Sequence, residues 1–301
     1  MKKNIGFGIF ALAGLLTLAS SSTLQELQWP QHRGYDVPYV PTPPEVVAEM
    51  LGLAGVKAGD ILYDLGCGDG RIVIAAAKRF GIKAVGIDID PVRITESNEN
   101  AETAGVTGKV KFIQQNLFEA DFRDATVVTM YLLTSVNRRL RPKLLAELKP
   151  GTRLVSHSFD MSEWKPDKTS VVTTSYDDRR VIYFWVVPAN LTGRWEWDLA
   201  DGPRNRHYTL QTTQQFQAVT ASGTAGDWPL TINDVELAGD VIKFRADAED
   251  HGKMIAFLYE GKVQGHTIVG TVKPADNPKA PAVKWQAARD PKTAESLDKS
   301  I

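Results

Sequence analysis

"YDLGCGDGR" (Tyr63–Arg71) sets three glycines at alternate positions directly behind a short apolar run. The preceding "DILYDLG" predicts a buried strand, and "RIVIAAAKRFG" (Arg71–Gly81) predicts a helix with a glycine stop, so the stretch is a strand-to-helix turn. Glycines at such a turn permit unusual dihedrals and let a ligand approach the backbone closely. The spacing Gly66, Gly68, Gly70 differs from that of a dinucleotide loop, whose third glycine falls one position later to seat a pyrophosphate. No Gly-Lys-Ser/Thr follows, which excludes a P-loop. Asp64 adds negative charge at the strand's tip and suits a cationic ligand better than a phosphate.

Outward from this turn, helical and strand-like patterns alternate. "PTPPEVVAEMLGLAG" (Pro41–Gly55) opens on prolines and closes on glycine, as a helix does, with Val46, Met50 and Leu53 on one face. "AVGIDID" (Ala84–Asp90) is a second strand, and "PVRITESNENAETAG" (Pro91–Gly105) a helix opened by proline. "VKFIQQ" and "ATVVTMYLL" (Ala125–Leu133) are strands, "NRRLRPKLLAELKPG" (Asn137–Gly151) a helix, and "TRLVSHSF" a strand. This alternation predicts a mostly parallel sheet with helices on both faces. "SVVTTS" and "VIYFWVV" then follow around the turn "YDDRR" and predict an antiparallel hairpin at the sheet's edge. After Pro188 eight short β-type runs, from "GRWEWDL" to "VKWQAAR", predict a small antiparallel sandwich or barrel.

The chain of 301 residues has a formal net charge of −1, which gives no electrostatic grip on nucleic acid. Its five histidines lack ligand spacing and its single cysteine, Cys67, excludes an internal disulfide and a cysteine-rich metal site, so no metal is expected. Lys2 and Lys3 precede the apolar "IGFGIFALAGLLTLA" (Ile5–Ala19) and a small polar run, the pattern of a secretory signal. An uncleaved anchor is the alternative, although the run is short against the ~20 residues a span needs. Either way the protein is expected to be exported, periplasmic or secreted, or anchored near a membrane by this segment.

Asp88 ends the next strand, where a carboxylate can accept both hydroxyls of a ribose. It speaks for a ribose without choosing the cofactor; the glycine spacing and Asp64 make that choice. S-adenosylmethionine carries a sulfonium and an α-ammonium group and fits a site with that charge. Asn116, in "QQNLF" after the third strand, can read the adenine edge. These residues fall at the tips of three strands, in the crevice where such sheets bind ligands.

"YDLGCGDG", "VGIDID", "QQNLFEADF" and "LKPGTRLVSHSFD", in that order, resemble the successive motifs of class I S-adenosylmethionine-dependent methyltransferases. The resemblance covers roughly Pro38 to Pro188 and implies a seven-stranded Rossmann-like sheet whose last two strands form the antiparallel hairpin. It implies S-adenosylmethionine as cofactor, with Asp64 and the loop of Gly66, Cys67, Gly68 and Gly70 near its methionine moiety. Asp88 then serves the ribose and Asn116 the adenine, with Ile89 and Leu117 as further cofactor-binding residues. Many relatives carry aspartate where Asn116 stands; its amide can still accept a hydrogen bond. As a cysteine, Cys67 is read as a small buried side chain of the loop and not as a nucleophile.

"YLL" after "VVTM" is not the Asp/Asn-Pro-Pro-Tyr/Phe of amino-directed DNA methyltransferases, and no Pro-Cys pair offers a nucleophile for cytosine. "PYVPTP" and "DGRIVIAAA" resemble a subgroup of protein-lysine methyltransferases that includes mitochondrial members acting on membrane-protein lysines. That implies a protein substrate and in-line transfer to a neutral lysine amine, desolvated to lower its pKa. Tyr39 and Thr42 are then expected to close over the cofactor and Tyr131 to line the lysine channel, against the plainer reading of Tyr131 as a core-edge aromatic. His157 and Asp160 can hydrogen-bond a substrate or merely pack a loop, and Arg71 is expected to cap local carboxylates. Two other readings stand beside this one. One is a small-molecule methyltransferase; the other is an exported non-enzymatic protein holding an adenosine-like ligand in the same crevice, since export and a cytoplasmic cofactor conflict.

The expected organisation is a signal peptide or membrane anchor over 1–22, a linker over 23–37, and the methyltransferase domain over 38–188. An all-β accessory domain over 189–289 and a flexible tail over 290–301 follow. Trp195, Trp197, Trp228 and Trp285 are expected in the β-domain's core. The sequence leaves oligomeric state, acceptor identity and the β-domain's role open.

Overall fold

Leu62, Tyr63, Asp64 and Leu65 of β1 (Ile61–Leu65) are all buried, as are all four residues of β4 (Val127–Met130), so both strands are covered on both faces. Such strands belong at the centre of a parallel sheet. The computed structural model describes residues 35–201, 204–250, 253–277 and 279–298. The segment expected over 1–22, and most of the 23–37 linker, lie outside the described residues. Among those residues no helix is long and apolar enough to cross a membrane.

From Tyr39 onward the chain forms one compact unit. Its first part is built from α1 (Pro44–Leu53), β1, α2 (Arg71–Phe80), β2 (Lys83–Asp88), α3 (Pro91–Thr103), β3 (Val110–Gln114) and β4. It continues with α4 (Thr134–Glu147), β5 (Arg153–His157), β6 (Lys168–Thr173) and β7 (Arg179–Val186). These strands form a seven-stranded sheet in the order β3-β2-β1-β4-β5-β7-β6. All pairings are parallel except those of β7, which runs antiparallel between β5 and β6. The sheet and its edge hairpin are those the sequence predicts. α2 is bounded by Gly70 and Gly81, both left-handed, and α3 is capped by Asp90, which accepts from Val92 N at 2.8 Å ahead of Pro91. α4 starts at Thr134, ahead of the expected Asn137, and carries Pro142 inside it.

The second part is a closed antiparallel barrel of eight strands. They are β8 (Gly193–Asp201), β9 (Arg204–Gln215), β10 (Ala218–Ala225), β11 (Trp228–Ala238), β12 (Val241–Asp250), β13 (Lys253–Gln264), β14 (Thr267–Pro274) and β15 (Val283–Arg289). Each pairs with its chain neighbours, and β15 closes on β8. Closure removes the edges that an open β-domain would have to protect. The core is aromatic: Trp197 stacks on Tyr208 at 5.3 Å and Phe244 on Tyr259 at 4.7 Å, with Trp285 edge-on to Tyr259 at 5.0 Å. Trp195, Trp197 and Trp285 are buried as expected, but Trp228 is 51% exposed. It opens β11 directly after the turn at Gly226 and Asp227, where alternation no longer fixes an inward face.

The expected flexible tail is packed as far as it is described. Leu297 and Asp298 are buried, and Asp298 Oδ2 accepts from Arg141 Nε of α4 at 2.6 Å. A short 3₁₀ turn, Pro291–Thr293, is capped by Asp290. The barrel is fastened to the sheet at several points. Trp164 Nε1 donates to Gln217 Oε1 at 2.8 Å, the Trp164 ring stacks on Phe216 at 5.7 Å, and Ala189 N donates to Gly239 O at 2.8 Å. Gly239 lies against the backbone of Gly151, just before β5 begins. Since β5 runs parallel to β4 and β1, this attachment lies at the edge opposite the glycine loop that follows β1.

Candidate functional site

β1 and β2 pair in parallel with Asp64 opposite Gly86 and Leu65 opposite Ile87, so both strands deliver an acid to the same edge of the sheet. Asp64 is buried, and its Oδ1 accepts from Thr129 Oγ1 on β4 at 2.7 Å. Burial pushes its pKa up to about 7; the Thr129 bond opposes that rise, and the charges of Asp88 and Asp69 add to it. Burial likewise raises Asp88, although Asp90 N, Gly68 N and Ile89 N partly offset it. Asp88 Oδ2 accepts from Gly68 N at 2.9 Å and Oδ1 from Asp90 N at 3.0 Å. A carboxylate has about four acceptor sites, so lone-pair capacity remains for a hydroxyl donor.

Four of the five backbone donors of the glycine loop are engaged within the chain. Gly66 N and Cys67 N both donate to Ile87 O at 2.8 and 3.0 Å, Gly70 N donates to Cys67 O at 2.9 Å, and Gly68 N is taken by Asp88. A nest for a phosphate needs such N–H groups free. This loop instead presents carboxylates. Gly66, Gly68 and Gly70 adopt φ of +79°, +54° and +78°. A Cβ at each would stand 2.8 Å from Leu132 Cδ2, 2.6 Å from Tyr39 Cε2 and 2.7 Å from Phe112 Cζ respectively. The glycines are therefore required by left-handed backbone and by close packing of the chain's own side chains, in addition to any approach by a ligand. Cys67 is buried in the loop, and burial pushes its thiol pKa well above the usual range, so it is a packing residue with no reactive thiolate.

Over this loop runs a strap, Tyr39 to Pro43. The Tyr39 ring lies against Gly68, and the guanidinium of Arg93 sits 4.4 Å from its centroid. Arg71 Nη1 donates to Thr42 O at 2.8 Å, while its Nε grips Asp69 Oδ1 at 2.9 Å. Arg71 thus caps a carboxylate, as expected, and also pins the strap. Thr42 is buried, and its Oγ1 lies 3.2 Å from His157 Nδ1 at the end of β5.

Beside the strap, half-buried Tyr131 follows β4, with its ring 3.8 Å from that of His157 and 5.9 Å from that of Phe159. Burial raises the Tyr131 phenol, and the nearby Arg180 guanidinium partly offsets that. His157 is fully buried, and its pKa falls to about 4 through burial, with Arg180 adding to the fall and Asp178 opposing it. Asp160, by contrast, packs its loop: Oδ1 accepts from Thr134 Oγ1 at 3.3 Å and Ser162 N at 3.2 Å. On the far side of the crevice Ile89 is 46% exposed, next to Asp88. Asn116 and Leu117 are half-buried after β3, and Asn116 Oδ1 accepts from Phe118 N at 3.1 Å, which ties its side chain to the turn.

The structure thus gathers Tyr39, Thr42, Asp64, Gly66, Cys67, Gly68, Gly70, Asp88 and Tyr131 about one crevice, with Ile89, Asn116 and Leu117 on its β2–β3 side. Sequence reading missed Thr129 and Arg180. Thr129 carries a signal, being the one hydroxyl in an otherwise apolar "VVTM" strand. Arg180 carries none, because "YDDRR" reads only as a turn.

The profile of the ANTKMT methyltransferase domain matches residues 64–168. A protein-lysine N-methyltransferase of Saccharolobus islandicus (strain REY15A) is 52% identical over 152 residues, which are 50% of this chain and 94% of that protein. The adenine nucleotide translocase lysine N-methyltransferase of Mus musculus is 35% identical over 130 residues, 43% of this chain and 56% of that protein. A solved structure described as an RNA methyltransferase from Salinibacter ruber in complex with S-adenosyl-L-homocysteine is 51% identical, covering 50% of this chain and 96% of that chain with a TM-score of 0.48.

Proposed function

The chain belongs to the class I S-adenosylmethionine-dependent methyltransferases, in the group that includes protein-lysine methyltransferases, and we propose that it transfers a methyl group to a lysine side chain of a protein. The observation that carries the reading is the loop's inventory: four backbone N–H groups already engaged, and the carboxyl groups of Asp64 and Asp88 beside them with no cationic side chain among the described residues bonded to either, Asp69 being paired with Arg71. Such a crevice disfavours a pyrophosphate and favours a cation.

S-adenosylmethionine, when bound, supplies a methyl group on a positively charged sulfur, a form a neutral amine can take. Asp64 would accept hydrogen bonds from its ammonium group, and Asp88 from the ribose hydroxyls. Ile89, Asn116 and Leu117 would flank the adenine, with Cys67 and the three glycines shaping the loop beneath. Tyr39 and Thr42 close this site from above. Tyr131 would line the acceptor channel, where loss of water lowers the pKa of an entering lysine amine and favours its neutral, nucleophilic form. His157 is not the base in this scheme. With a pKa of about 4 its ring is too weak a base to hold the proton of a lysine ammonium, whose ordinary pKa is ~10.4.

We take residues 38–188 as the methyltransferase unit and 189–289 as an accessory barrel. Export or membrane proximity is proposed on Lys2, Lys3 and the apolar run Ile5–Ala19 alone. The test is calorimetric titration of the full chain with S-adenosylmethionine and S-adenosylhomocysteine, with Asp88→Ala as control. It is followed by transfer from the methyl-tritiated cofactor to a total protein extract and acid hydrolysis to amino acids. Micromolar binding weakened ten- to hundredfold by the substitution, about 1.5–3 kcal/mol, and label recovered as methyl-lysine are expected. Absence of binding, or label confined to small molecules, refutes the reading.

A further inference from the structure

His157 is held on two sides and open on a third. Its Nδ1 meets Thr42 Oγ1 at 3.2 Å, its ring lies 3.8 Å from that of Tyr131, and its Nε2 is buried with no hydrogen-bond partner. A buried polar atom without a partner is a standing cost that folded proteins usually avoid. Phenylalanine would make the same ring contact without that cost. The backbone here is also strained: Ser158, immediately after, sits at φ +63° and is fixed by donation from its N to Val181 O at 2.7 Å. A strained turn and an unsatisfied ring nitrogen at the tip of a central strand mark a residue kept for something other than packing.

What the ring joins is specific. The strap that covers the glycine loop is pinned on the cofactor side through Tyr39 against Gly68 and through Arg71 on Thr42 O. Thr42 to His157 is the bond that carries the strap across to β5, and the His157–Tyr131 stack extends it to the aromatic beside the acceptor. We propose that His157 is a positioning residue: bonded to Thr42 and stacked on Tyr131, it fixes the cofactor's cover and the acceptor-side aromatic as one wall. The inference rests on the cofactor assignment above. Its neutral state, with the pKa lowered to about 4, keeps the ring uncharged beneath Tyr131 at working pH. Alignment of two reactants is steep in distance, so a wall of this kind matters even without touching the reacting atoms.

Three variants separate the roles, each titrated calorimetrically with S-adenosylhomocysteine as full chain and melted without ligand. His157→Phe keeps the stack and loses the bond; Thr42→Val loses the same bond from its other end. Each is expected to weaken S-adenosylhomocysteine about five- to tenfold, the size of one hydrogen bond, while His157→Phe melts no lower than the parent chain. The double variant is expected to be no weaker than either single, since both remove one bond. His157→Asn, which retains a polar atom near the Nδ1 position, is expected to recover affinity. Single-variant losses that multiply in the double, or a His157→Phe chain that binds like the parent, overturn the inference while leaving the methyltransferase reading intact. A fall in melting temperature that tracks the affinity loss assigns His157 to structure and also overturns it. A parent chain that binds no S-adenosylhomocysteine overturns both.

Discussion

Replacing Asp64 by asparagine should make the unliganded protein more stable and less able to hold its cofactor. The carboxyl is 2% exposed and its pKa stands at about 7 against an ordinary 3.8, chiefly because burial penalises the charge. At ~1.4 kcal/mol for each pH unit, ionising Asp64 costs about 4 kcal/mol more in the folded chain than in the unfolded one. The sign follows from linkage: between those two pKa values the folded state keeps a proton that the unfolded state has lost. The penalty is therefore absent below pH 3.8, grows as pH rises, and is complete above about 7. Asparagine is neutral throughout, and its Oδ1 can still accept from Thr129 Oγ1, which now donates at 2.7 Å.

Melting curves of the two unliganded chains should thus coincide near pH 4 and separate toward pH 8. At ~2–4 °C per kcal/mol for a unit of this size, the gain is on the order of ten degrees at pH 8. Calorimetry on the same samples should show S-adenosylmethionine binding more weakly to Asp64→Asn, a divergence of stability and binding expected of a functional charge. A variant that melts below the parent at pH 8, or whose gap from it does not change with pH, refutes the electrostatic account of Asp64.

Gly70→Ala should destabilise the protein by about 2 kcal/mol or more, because it combines φ +78° with a Cβ 2.7 Å from Phe112 Cζ and 3.0 Å from Ser97 Cβ. Urea unfolding measures it, and adding Phe112→Leu should recover the steric part only. Arg141→Met should cost about 3–5 kcal/mol, since it removes the guanidinium that holds the buried carboxylate of Asp298 at 2.6 Å. Adding Asp298→Leu should restore most of that loss in the same unfolding assay. Cys67, with burial holding its thiol protonated, should resist iodoacetamide in the folded chain at pH 8 and react once denatured, as read by mass spectrometry.

The sheet was legible because its signals are local. "DILYDLG", "AVGIDID" and "ATVVTMYLL" are apolar runs bounded by turn residues, and Pro91, Gly81 and Gly70 punctuate the helices between them. Asp64 and Asp88 were legible as acids at strand ends. Their environments were not: that the loop's N–H groups are consumed by Ile87 O and Asp88 depends on strand register, which no local pattern states. The reading of the three glycines as bare backbone for a ligand was incomplete for the same reason, since Leu132, Tyr39 and Phe112 arrive from elsewhere in the chain. Trp228 and the segment ending at Asp298 were misplaced because exposure at a strand's first residue, and an ion pair 157 residues away in sequence, leave no local trace.

The barrel's attachment bears on what the crevice can accept. Here the sheet has been fitted to its companion. Arg141 of α4 is wholly buried, bonded to Asp298, Glu163 and Met161 O, with its guanidinium 5.0 Å from the ring of Phe216 on the barrel. A cation so placed is tolerable only with its partners in position, so barrel, final segment and sheet stand or fall together. Yet these contacts lie along α4, the 161–167 loop and the turn before β5, while Asp64, Asp88, Tyr39 and Tyr131 occupy the other edge. A barrel fixed there is no lid for the crevice. Cover of the glycine loop falls instead to the strap, whose Tyr39 ring lies against Gly68 and whose Thr42 carbonyl is held by Arg71.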